Sequence, residues 1–117
     1  HTPAMPPKTN PLKLNKLQLR TLALVQIIAR EPSTSHTNTE TGEVTLTQLP
    51  HAHGSHMHIG PFTVPARDAS GLDNPAVWTA LERKGLARRD AVSAVLTAAG
   101  MAYDTGLGDR FLAASDH

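Results

Sequence analysis

Asn74-Pro-Ala-Val-Trp-Thr-Ala-Leu-Glu-Arg-Lys-Gly-Leu-Ala-Arg-Arg89 is the stretch whose reading decides the fold. Asn74 suits a helix N-cap, because its side-chain oxygen can accept one of the unpaired N–H groups of the first turn. Pro75 suits the N1 position, where no N–H is required. Val77, Ala80 and Leu81 then recur at helical spacing and define a buried face. Gly85 supplies the left-handed residue of a Schellman-type stop, with Leu86 able to touch Leu81 across it. Residues 86–89 read as a strand and Asp90-Ala91 as a tight turn. Residues 91–96 form the return strand, in which Val92, Ala94 and Leu96 alternate. Thr97 caps a short helix running through Tyr103. The order is therefore capped helix, glycine stop, basic strand, turn, strand, helix.

Upstream, a second helix is well signed over residues 16–30. Asn15 is its N-cap and Gln18 completes a capping box, while Leu14 and Leu19 occupy the positions of a hydrophobic staple. Leu17, Leu24, Val25 and Ile28 form the apolar stripe, widened by Leu22 and Ile27. Glu31-Pro32 ends it. Residues 33–42 are rich in Ser, Thr and Asn and read as a loop. From 43 to 49 the pattern alternates, as does His56-Met-His-Ile59, so the two runs are expected to pair as a β-hairpin around a turn at 50–55. Gly60 and Pro61 break the second run, and residues 62–64 read as a short strand entering the next element. Residues 65–72 read as one or two helical turns stopped at Gly71. A final short helix is expected around Phe111 and Leu112. Residues 1–11 hold four prolines and read as a flexible arm, with Met5 a plausible natural start.

The 117 residues match one domain, so 12–117 is expected to share a single core. That core must be aliphatic, because Trp78, Tyr103, Phe62 and Phe111 are the only rings. There is no cysteine, which rules out disulfides and thiolate metal sites and fits a cytoplasmic location. No apolar run approaches the ~20 residues that span a bilayer, so no membrane partner is expected. The net charge of +1 conceals an asymmetry. Residues 1–30 carry Lys8, Lys13, Lys16, Arg20 and Arg30 and no acid, whereas 31–66 carry only Glu31, Glu40 and Glu43 among charged groups. The total is too small to argue for nucleic acid, so any such argument must rest on a local basic surface.

Three segments together resemble the winged helix-turn-helix family of bacterial regulators, of the multiple-antibiotic-resistance-repressor type. They are Leu14-Asn-Lys-Leu-Gln-Leu-Arg20, residues 76–89, and Leu96-Thr-Ala-Ala-Gly-Met-Ala102, where a similar Leu-Thr-x-x-Gly phrase closes the family's wing. With residues 66–72 as the first helix of the turn motif, the likeness covers roughly half the chain. The fold it implies is α+β: a winged helix-turn-helix with an inserted loop and hairpin over 32–61. The recognition helix is about one turn shorter than the family's usual one, and the wing is very tight. What the resemblance implies is a dimeric transcriptional regulator binding double-stranded DNA. A helix in the major groove reads base edges through its outward side chains, and wing arginines meet phosphate or the minor groove. Asn74, Thr79, Arg83, Lys84, Arg88 and Arg89 are the residues so placed, with Asn suited to adenine and Arg to guanine. The width of the stripe on helix 16–30, greater than one small core needs, adds to the expectation of a homodimer. A competing reading is a winged-helix protein–protein interaction module, which an exposed Trp78 would suit.

The cluster His51-Ala-His-Gly-Ser-His-Met-His58 supports a third reading, a metal-responsive regulator. Neutral imidazole is a frequent ligand of zinc, copper and nickel. In extended chain His56 and His58 share a face, as do His51 and His53, so the end of a hairpin could gather them, with Glu43 adding an oxygen. Histidines on the outer face of a hairpin equally need no metal. No enzyme is expected: Ser70, Asp73 and a histidine make a triad only on paper, and no nucleophile-elbow sequence supports one. Asp68 and Glu43 are the only nearby bases for metal-assisted hydrolysis.

Overall fold

A computed structural model describes residues 11–47, 56–59, 62–65, 71–90 and 93–107, with 56–59 and 62–65 described by backbone and pairing alone. The elements in chain order are α1 (Lys16–Ala29), β1 (Ser35–Thr37), β2 (Val44–Leu46), β3 (His56–Ile59), β4 (Phe62–Pro65), α2 (Pro75–Arg83), β5 (Ala87–Arg89), β6 (Ala94–Leu96) and α3 (Ala98–Ala102). The class is α+β. No helix among the described residues is long and apolar enough to cross a membrane.

The axis of the core is α1. Its start is the expected capping box: Gln18 N–H donates to Asn15 Oδ1 at 2.8 Å, and Asn15 N–H donates to Gln18 Oε1 at 3.0 Å. Every residue from Thr21 to Ala29 is buried, so the helix has no solvent face over that stretch. It packs against β1, β2 and β6 and against both α2 and α3. A helix buried all round belongs in the middle of a core. The wide stripe that suggested a dimer is thus consumed within the chain. At its end, Ser35 Oγ donates to the carbonyls of Ala29 (2.9 Å) and Glu31 (2.7 Å), satisfying oxygens that no further turn could reach.

Four strands make one antiparallel sheet in the order β1-β2-β6-β5. Val44, Leu46, Ala87, Ala94 and Leu96 are buried on its inner face. The register aligns His36, Thr45, Val95 and Arg88 in a row on the opposite face. β3 and β4 form a separate two-stranded ladder.

This pairing corrects the expected hairpin between 43–49 and 56–59. β2 instead joins β1 on one side and β6 on the other, and His56–Ile59 pairs with Phe62–Pro65. Two local turns decide it. Gly42 adopts φ +79°, and Asn38 and Glu43 are bonded backbone to backbone at 2.7 Å, which closes β1 onto β2. The short span 60–61 leaves Phe62 opposite Ile59. Residues 35–37, read as loop, are therefore a strand. The return strand begins at Ala94; Asp90 N–H donates to Ser93 C=O at 2.8 Å, and residues 91–92 lie outside the described residues.

The arm at 1–11 lies almost wholly outside the described residues, as do 66–70 and the expected helix at Phe111 and Leu112. Gly71 opens a 3₁₀ turn at 71–73, so close to α1 that a Cβ would run into Thr21 Oγ1. α3 is held just as closely. Thr97 Oγ1 accepts Gly100 N–H at 3.0 Å, and a Cβ on Gly100 would collide with the Leu86 carbonyl. The Leu-Thr-x-x-Gly phrase thus has a packing cause: the glycine lets α3 lie on the chain entering β5. Buried Gln26 locks the contact, its amide donating to Gly100 O (2.9 Å) and Tyr103 O (2.7 Å).

Candidate nucleic-acid interface

α2 with its two cap residues carries four of the six residues expected to touch nucleic acid, and its ends form as the sequence dictates. Asn74 Oδ1 accepts Ala76 N–H at 3.0 Å and Pro75 occupies N1. At the other end Gly85 N–H donates to Glu82 O (3.0 Å) and Leu86 N–H to Leu81 O (2.9 Å), with Gly85 at φ +75°. That pair of bonds is the Schellman motif. Val77, Trp78 and Leu81 are buried, while Pro75, Ala76, Thr79, Glu82 and Arg83 are exposed and share the outward side at three- and four-residue spacing. Lys84 follows as the C-cap, also exposed. Among the described residues neither Arg83 nor Lys84 has an ion-pair partner.

The two wing arginines are differently placed. Arg88 lies on the outer sheet face and forms a two-pronged pair with Glu43, at 2.9 and 3.2 Å. Those hydrogen bonds hold the Glu43 carboxyl below its ordinary value and raise the Arg88 guanidinium above its own. Both groups are exposed to water, so the pair is readily exchanged. Arg89 points to the other side. Its Nη1 donates to Leu72 O at 3.1 Å, and its guanidinium lies 5.3 Å from the centroid of the Trp78 ring. Trp78 is 3% exposed, and its indole N–H donates to the same Leu72 carbonyl at 2.9 Å. The exposed tryptophan that would have suited a protein-binding module is therefore a core residue.

Between α2 and β5 lies an open cleft of about 410 Å³, bordered by Asp73, Trp78, Thr79, Glu82, Arg89 and Asp90. Three carboxylates against one guanidinium make this side of α2 acidic. Arg83 and Lys84 stand at its C-terminal end. The structure therefore gathers Asn74, Thr79, Arg83 and Lys84 on one helix, sets Arg89 beside its first turn, and turns Arg88 toward Glu43. The acidic rim depends on Asp73 and Asp90 approaching from opposite ends of the 74–89 stretch, which no local pattern announces.

Of the histidine cluster, His51 and His53 lie outside the described residues. His56 and His58 stand at alternate positions of β3, opposite Pro65 and Thr63. Glu43, considered as a further metal ligand, is paired with Arg88 and adjoins β2, a strand of the other sheet. Asp68 and Ser70 lie outside the described residues, and Asp73 borders the α2 cleft. Comparisons of the chain with protein-family models, with curated proteins and with solved structures find no match.

Proposed function

We propose that the chain is a winged helix-turn-helix domain that contacts double-stranded DNA with the outward side of α2, as a transcriptional regulator would. One observation carries the reading: α2, capped at both ends, leads directly into the β5–β6 hairpin while presenting Thr79, Arg83 and Lys84 to solvent. Arg83 and Lys84 meet phosphate, and Thr79 and the amide of Asn74 are the groups nearest base edges. Arg88 joins the interface only by leaving Glu43. Fluorescence anisotropy with a labelled duplex tests this. Binding should weaken steeply with salt, and Arg83→Ala with Lys84→Ala should lower the log–log salt slope by about 2. Binding that ignores salt, or a double variant that binds like the parent, removes the proposal.

A second reading, a protein-interaction module, is favoured by the acidic rim of the α2–β5 cleft. The two readings separate on Glu82→Gln with Asp90→Asn. Loss of these charges strengthens a duplex contact by reducing repulsion of phosphate, and it weakens binding of an oligo-arginine peptide. A metal-responsive role for His51, His53, His56 and His58 is retained as a proposal for zinc calorimetry, to be abandoned if the four-alanine variant binds zinc unchanged.

A further inference from the structure

The sheet has two edges, and among the described residues no strand or side chain covers β1. The flanking bonds, Thr47 N–H to Thr34 O at 2.9 Å and Asn38 N–H to Glu43 O at 2.7 Å, set the phase of the ladder. Thr34, His36 and Asn38 direct their backbone groups to β2, so those of Ser35 and Thr37 point away from the sheet. His36 and Thr37 are exposed. Residues 34–38 contain no charge and no proline, two of the usual devices that stop an edge from pairing. Beside this edge runs a groove of about 520 Å³, lined in part by Ala29, Arg30, Pro32, Val44 and Met101.

We infer that a second copy of this chain pairs with this edge, β1 against β1, to make a continuous eight-stranded sheet in a two-fold dimer. Antiparallel pairing about His36 puts Ser35 opposite the partner's Thr37 and Thr37 opposite the partner's Ser35. Every outward N–H and C=O of these residues is then satisfied. The same contact patch is used by both copies, so the assembly closes. The axis is perpendicular to the sheet, so the two grooves face each other and their apolar linings, Ala29, Pro32 and Met101, meet.

Charge is complementary across the axis. Arg30 precedes β1 and Glu40 follows it, and antiparallel pairing brings Arg30 of each copy toward the partner's Glu40. Neither has an ion pair within the chain among the described residues. Glu31, the other acid near this end, is held locally by Ser33 Oγ–H at 3.1 Å. The opposite edge offers no such match, since at β5 Arg88 is already paired with Glu43 and Arg89 bonds the Leu72 carbonyl. The inference does not depend on what α2 contacts.

Sedimentation velocity on the full chain tests it, from about 5 to about 500 µM. A dimer is expected within that range, and Thr37→Pro, which removes an outward donor without touching the β1–β2 ladder, should leave a monomer. Arg30→Glu should weaken the dimer about tenfold, and adding Glu40→Arg should restore it to within about threefold. The exchange pair decides the matter if Thr37→Pro melts. A monomer throughout the range, a dimer indifferent to folded Thr37→Pro, or a double exchange no better than the single one overturns the inference.

Discussion

The two edges of the four-stranded sheet spend their polar groups in opposite ways. At β5 they are spent within the chain: Arg89 and Trp78 share the Leu72 carbonyl, Arg88 is paired with Glu43, and Leu86 O lies under Gly100. At β1 Ser35 closes α1, while His36 and Thr37 face water. An edge fixed by internal contacts can present a neighbouring helix rigidly. An edge with its backbone groups unspent can take up another strand. The molecule therefore carries a presenting end and a pairing end on one sheet.

The sharpest way to break this contrast is at Trp78. Trp78→Ala should cost about 3–5 kcal/mol in urea unfolding, through the cavity left at the α2–β5 contact. Gly100→Ala comes next, at about 1–3 kcal/mol, because the added methyl meets a backbone carbonyl rather than a flexible side chain. At the other edge, His36→Ala should change stability by less than about 0.5 kcal/mol. If it costs as much as Gly100→Ala, the β1 edge is structural after all.

Glu43→Gln is the smallest perturbation and sharpens the comparison through pH. The folded carboxyl is held below its ordinary value by Arg88, so its contribution is present above the unfolded value. It fades as pH falls through the folded one. Melting temperatures of parent and variant should differ slightly at neutral pH and converge in acid. A difference that grows in acid contradicts the assignment. The variant also releases Arg88, so duplex affinity should rise at low salt.

The features legible in the sequence were those decided within a few residues. The Asn15–Gln18 box, the Asn74-Pro75 start and the Gly85 stop all depend on donors and acceptors less than two turns apart, and each forms as read. Strand pairing was not legible in this way. Val44 and Leu46 showed a buried face without showing that β6, far along the chain, would cover one side of β2. Ser35-His36-Thr37 has no apolar alternation because its strand is held by backbone bonds at an edge. The site was legible in part. The outward residues of α2 followed from helical spacing, but the Arg88–Glu43 pair spans 45 residues of sequence and Arg89, on β5, reaches back to the turn before α2. Both depend on tertiary closeness alone.

The claim that α2 is the presented surface is most directly tested by backbone amide shifts of the labelled protein during titration with duplex DNA. The account predicts shifts concentrated at Thr79, Arg83, Lys84 and the β5–β6 hairpin, fading as salt is raised. Shifts confined to the β1 edge, or none at low salt, would contradict it.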